Sequence, residues 1–286
     1  MLKVLILSLL AITLNACGSD ESLRSSQLKG HAEHLAEEDA PYNQFKQKSV
    51  HNAYQRKESI EEMVNTYGLR SIELDIHTSK LFRPGLGHDW YVYHEWFDLG
   101  SKVDTLSEGL ERLAAVSRNN EDPISLFVDL KSKFDSSEHR FEDLDELLQS
   151  TLGDKLFRPR DLTARCPGAE WLSDAVRLCG WPLRSELHGR ILVILTGSAA
   201  YPYAPNPSIA LDRMAFVAPT IEKGEELGIH SHAIIFNLNK KTVFETDLSE
   251  ILFNQGKVLR TWDVNSSADW QKALNKPIAH IATNKN

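Results

Sequence analysis

From residue 41 onward, short apolar or β-branched runs alternate with longer amphipathic ones, and nothing else in the chain limits its fold as strongly. That alternation is the mark of repeated strand–helix units and a parallel sheet. The strand candidates are the run into Ser49-Val50 and the segments 71–76, 124–130, 191–196, 214–218, 233–238, 258–264 and 279–283. About eight such units close a barrel, so the expected fold is α/β, a (β/α)8 TIM barrel. Helices are expected over 58–67, 105–118 and 142–151, where apolar residues stand three and four apart. The extended piece 91–94 fits an excursion between the second and third strands better than the barrel wall. With no internal repeat and no second linker, residues 41–286 read as one domain.

The chain has 286 residues, 42% of them hydrophobic and 25% charged, which is enough apolar material for a full core. Its net charge of −8 is spread without a basic run, which excludes a nucleic-acid footprint. At the N-terminus, Lys3 precedes an apolar stretch from 4 to 14 that is too short to span a bilayer and ends at small residues. Residues 1–17 are therefore expected to be a signal peptide. Its end, Leu14-Asn15-Ala16-Cys17, resembles the bacterial lipoprotein cleavage box. The resemblance implies that Cys17 becomes the lipidated first residue, and Gly18-Ser19 after it imply the outer membrane. The alternative is an ordinary signal peptide and a periplasmic or secreted protein. Residues 18–40 are polar and lack apolar periodicity, so they read as a tether, with His31 and His34 solvated in it. In an oxidising compartment the remaining pair, Cys166 and Cys179, is expected to form a disulfide around Pro167, Gly168 and Trp171. A metal site there would need more thiolate or imidazole ligands than the stretch offers.

Chemistry in a parallel barrel gathers at the C-terminal ends of the strands. Four places there carry polar residues: His51-Asn52, Glu73 with Asp75, His94, and Asp129 with Lys131. Glu73 and Asp75 are two apart on a strand and so share a face, the barrel interior if Ile72, Leu74 and Ile76 face the helices. Two inward carboxylates repel unless something positive lies between them. Oxygen ligands from Glu73, Asp75, Asp129 and the Asn52 amide favour Ca²⁺, or Mg²⁺, over zinc. The competing reading balances the pair with a basic side chain, Lys131 being a partner within reach. His51 and His94 add groups that can carry a proton near neutral pH.

The runs Ser49-Val50-His51-Asn52-Ala53-Tyr54, Ile72-Glu73-Leu74-Asp75-Ile76, Val92-Tyr93-His94 and Val128-Asp129-Leu130-Lys131 resemble the motif series of phosphoinositide-specific phospholipases C, closest to the bacterial calcium-dependent branch. Looser likeness continues through Trp181-Pro182, Gly189-Arg190-Ile191, Arg260-Thr261-Trp262-Asp263-Val264-Asn265 and His280-Ile281-Ala282-Thr283-Asn284. The resemblance implies that Asn52, Glu73, Asp75 and Asp129 hold calcium, that His51 contacts the phosphate and that His94 is the general acid. Many relatives have Glu where this chain has Asp129. His88, in the loop 85–89, competes with His94, and the match of 92–94 favours His94. Lys131 is a further candidate contact to the phosphate. Trp90, Tyr91 and Trp96 could touch lipid or sugar, against the plainer reading of ordinary packing.

The implied reaction is attack of an inositol 2-hydroxyl on phosphorus with expulsion of diacylglycerol. A glycerophosphodiester phosphodiesterase is the nearest rival, although that family usually places Arg-Gly after its first histidine. A non-catalytic envelope lipoprotein is the rival from another class. The expected partners are a phospholipid or other phosphodiester and the membrane, through the anchor of a monomeric chain.

Overall fold

The protein, a computed structural model, is described over residues 39–80, 83, 85–94, 101–134 and 137–284. The expected signal peptide, Cys17 and nearly all of the tether lie outside the described residues. Asp39, the first described residue, accepts hydrogen bonds through its carboxylate from Ser185 N at 2.9 Å and Ser185 Oγ at 2.6 Å.

The strands are β1 (Gln47–Val50), β2 (Ser71–His77), β3 (Tyr91–Val92), β4 (Ile124–Leu130), β5 (Ile191–Thr196), β6 (Phe216–Val217), β7 (Thr220–Ile221), β8 (Ile235–Asn239), β9 (Val258–Trp262) and β10 (His280–Thr283). Their order is β6-β5-β4-β2-β1-β10-β9-β8-β7, all parallel, with β3 antiparallel on β2 as an excursion. β6 and β7 are two halves of one extended stretch. The first half pairs with β5 and the second with β8, and Pro219 between them offers only its carbonyl, which accepts from Asn237 N at 3.0 Å. The stretch thus joins the two ends of the sheet, and the fold is a TIM barrel with β6 and β7 together as its fifth strand. The expected segment 214–218 covers only the first half.

Helices cover the strands' outer faces. Leu106–Ser117 starts where Thr105 Oγ1 accepts from Glu108 N at 3.2 Å, and Gly109 lets it approach β2 closely, since a Cβ there would stand 2.8 Å from Leu74 Cδ1. Phe141–Leu152 follows, and Cys166 is bonded to Cys179 across the helices Pro159–Ala164 and Leu172–Leu178. The outward strand residues Ile72, Leu74, Leu126 and Val128 are fully buried against this layer. By area, each such side chain contributes roughly 1.5–3 kcal/mol of transfer free energy.

Inside the barrel the floor is polar and internally bonded. Tyr42 Oη lies 2.7 Å from Ser125 Oγ, Ser71 Oγ donates to Ser49 Oγ at 2.8 Å, and His280 Nδ1 lies 3.2 Å from Ser71 Oγ. Burial pushes His280 down to about 3, so it is a neutral ring at neutral pH. This layer leaves the other end of the barrel for charge.

Candidate active site

Asp75 on β2 and Asp129 on β4 are register partners across adjacent strands, one turn of the pleat above Glu73. Glu73 and Asp75 are almost wholly buried, and Asp129 is partly exposed. Each can offer an oxygen within 4.8 Å of the others. The structure thus brings the three carboxylates together at the strand ends. Asn52 is adjacent to His51, buried and left-handed at φ 52°, a conformation asparagine tolerates, with its Oδ1 accepting weakly from Tyr54 Oη at 3.4 Å.

Two basic groups share the carboxylates. Lys131, just past β4, places Nζ 2.6 Å from Asp129 Oδ2 and 3.3 Å from Asp75 Oδ2. Arg260, on β9 and fully inside the barrel, donates through Nη2 to Glu73 Oε2, bonds Asn237 Oδ1 at 2.8 Å, and lies 4.7 Å over the ring of Phe127. Burial pushes Arg260 down to about 9, which leaves it charged at neutral pH. The expected basic balance is therefore present, yet half of it comes from a residue not singled out among the site candidates. A basic residue two positions from Val258 and Trp262, inward on a strand, was the available signal.

The basic groups do not satisfy every oxygen. Asp75 Oδ1 is buried and meets no hydrogen-bond partner among the described residues. A buried carboxylate oxygen without a donor is costly, and a hard cation is the group that fits it. Glu73, Asp75 and Asp129 thus fit a divalent cation, and zinc would find no nitrogen or sulfur set among them.

The histidines flank this cluster. His94 Nδ1 lies 3.0 Å from Asp75 Oδ2, and the ring is 39% exposed, turned to the mouth of the barrel. His51 places Nε2 3.4 Å from Glu73 Oε1, while its Nδ1–H donates to Asn284 Oδ1. Burial lowers the His51 pKa, against an upward pull from Asn284. Asn284 in turn is held by Asn265, whose Oδ1 accepts from Asn284 N at 2.8 Å, and Arg56 ties the two strand ends through the carbonyls of His51 and Thr283 at 3.2 and 3.0 Å. Asn284 is a positioning residue that the C-terminal motif contained without revealing its partner.

The competitor His88 goes elsewhere, with Nδ1 3.1 Å from Asp143 Oδ1 at the start of the helix Phe141–Leu152. His77 stacks on Tyr93 at 3.8 Å. Trp90 and Tyr91 are 2% and 4% exposed, so they pack rather than reach for lipid, and Trp96 lies outside the described residues.

Gly197, directly after β5, shapes the pocket around Asp129. Its φ is +86°, and an added Cβ would sit 2.5 Å from Asp129 Oδ1 and 2.8 Å from Leu130 O. Gly197→Ala is expected to lower stability by about 1–3 kcal/mol from the backbone conformation alone. Equal urea midpoints for the variant and the parent would remove the claim that this close approach matters.

No protein-family model matches the sequence, and no curated protein sequence matches it. Among solved structures, the chain is similar to a calcium-dependent phosphoinositol-specific phospholipase C from the Gram-negative Pseudomonas sp., in its apo form, at 22% identity, with 86% of this chain and 91% of that one covered and a TM-score of 0.75. It is also similar to a Ca²⁺-dependent phosphatidylinositol-specific phospholipase C from Streptomyces antibioticus, at 19% identity, with 86% and 95% covered and a TM-score of 0.66. At these identities the likeness speaks to architecture: the chain shares the barrel fold of these two structures.

Proposed function

We propose that the protein is a divalent-cation-dependent phosphodiesterase of the phosphoinositide phospholipase C type, with calcium as its cation. One observation carries this reading. Asp75 divides its carboxylate, with Oδ1 buried and without a hydrogen-bond partner among the described residues, and Oδ2 shared by His94 and Lys131. One oxygen is thus left for a cation while the other orients an acid and a phosphate-binding group. Charge supports the same assignment. Glu73, Asp75 and Asp129 outnumber Arg260 and Lys131 by one, which leaves net negative charge for a cation.

In the reaction, the substrate's own hydroxyl gives its proton to a carboxylate, Asp129 or Glu73, as its oxygen forms a bond to phosphorus; the bond to the glycerol oxygen breaks, and a proton from His94 ends on that oxygen. No water is consumed in this step. A bound cation supplies electrostatic stabilisation of the phosphoryl oxygens and lowers the pKa of the attacking hydroxyl. Asn52, Glu73, Asp75 and Asp129 would hold it. Asp75 Oδ2 accepts from His94 Nδ1 and so leaves Nε2 to deliver the proton to the leaving oxygen. His51, fixed by Asn284 through Nδ1, contacts the phosphate when its Nε2 carries a proton, and Lys131 adds a second contact. In this reading the chain is exported and anchored through Cys17, which places a barrel mouth near its lipid substrate.

The test is product analysis of the purified protein by phosphorus NMR on phosphatidylinositol, its deacylated counterpart and phosphatidylcholine. A cyclic inositol phosphate from phosphatidylinositol, lost with chelator and restored by calcium, is expected. Turnover restricted to the deacylated diester would move the assignment to a glycerophosphodiesterase, and no turnover of any diester would end it.

A further inference from the structure

Lys131 touches the same carboxylates that would hold the cation. Its ammonium is 2.6 Å from Asp129 Oδ2 and 3.3 Å from Asp75 Oδ2, and these two residues stand side by side in register. A monovalent ammonium and a divalent ion within a few ångströms of one another repel strongly, so both cannot keep their best positions.

Of the two basic groups, only one can yield. Arg260 is enclosed in the barrel, bonded to both Glu73 and Asn237 and seated on Phe127, with its side chain 3% exposed. Lys131 has its backbone N fixed to Ile76 O at 3.0 Å, while its side chain is 34% exposed on a four-carbon stem. It can swing toward the mouth without moving the strand. A lysine is a flexible point charge, suited to exchanging one anionic partner for another.

We propose that Lys131 is a tethered competitor of the cation. Its ammonium neutralises Asp75 and Asp129 in the cation-free enzyme and is displaced when the ion binds. The freed ammonium then meets the phosphodiester. By linkage, cation and substrate each bind more tightly when the other is present, and part of that coupling runs through Lys131. This inference rests on the cation-dependent reading above and adds to it an order of events. A bare cation meets an occupied site, and the site becomes fully receptive only when a phosphate can take the lysine over.

The test is calorimetric titration of calcium into the full-length protein and into Lys131→Met, alone and with dimethyl phosphate as an unreactive diester. Lys131→Met is expected to bind calcium at least tenfold more tightly than the parent when no diester is present. Dimethyl phosphate is expected to tighten calcium binding in the parent by a larger factor than in Lys131→Met. Lys131→Gln serves as a second neutral variant, and melting by circular dichroism verifies that both are folded. Calcium binding that is unchanged or weaker in both folded variants, with the parent binding normally, overturns the competitor role and leaves the cation site standing. Absence of saturable calcium binding in the parent and both variants overturns the cation-dependent reading, and the competitor role falls with it.

Discussion

His94→Ala is expected to lower kcat by about 10²- to 10⁴-fold, the range that general acid catalysis typically supplies. The reason is local. His94 is partly exposed at the barrel mouth, with one ring nitrogen on Asp75 and the other directed away from it, so the variant removes a proton donor without opening the core. Melting temperature and calcium affinity are expected to stay close to the parent's, because Asp75 keeps Lys131 as a partner. An inositol phosphate ester with a nitrophenol leaving group departs without protonation, so it should recover most of the lost rate. Asp75→Asn should not be recovered by that ester at limiting calcium, since its defect is in holding the ion. His88→Ala is expected to retain turnover, because His88 pairs with Asp143 at a helix start. Rescue of His88→Ala by the activated ester, with His94→Ala fully active, would move the acid to His88.

The barrel was legible in the sequence where strand residues repeat apolar character over six or seven positions. Segments 124–130 and 191–196 coincide with β4 and β5, and 71–76 falls one residue short of β2. It was less legible at the fifth strand, because Pro219 interrupts the run and periodicity cannot tell a broken strand from a strand followed by a loop. The end of β9 was overrun for a similar reason. Asp263 turns to φ 64°, a left-handed kink that the apolar Val264 beyond it disguises. Polar residues that end strands were found because the architecture says where to look. Arg260 and Asn284 were not assigned roles, since each acts on a residue from a distant part of the chain. Arg260 reaches Glu73 across 187 positions and Asn284 reaches His51 across 233. Such pairs exist only once the barrel has closed.

The stability of that closed barrel should depend on Arg260 more than on any other charged side chain at the site. Arg260→Met is expected to cost about 3–5 kcal/mol in urea unfolding with chelator present, because it leaves the Glu73 carboxylate buried with no counter-charge bonded to it. The neutral floor beneath offers no substitute, since His280 resists protonation and its hydrogen-bond partner is the Ser71 hydroxyl. Two further measurements separate a lost charge from a lost volume. Arg260→Met combined with Glu73→Gln removes both charges, and the double variant should recover most of the loss, since two neutral groups need no ion pair. Saturating calcium should also recover part of the loss in the single variant, by supplying positive charge from the mouth side, and little in the double variant, where a ligand has gone. If Arg260→Met is as stable as the parent in chelator, Glu73 is not a buried charge held by Arg260. If the single and double variants are equally unstable, the role of Arg260 is packing against Phe127 and Asn237 rather than charge.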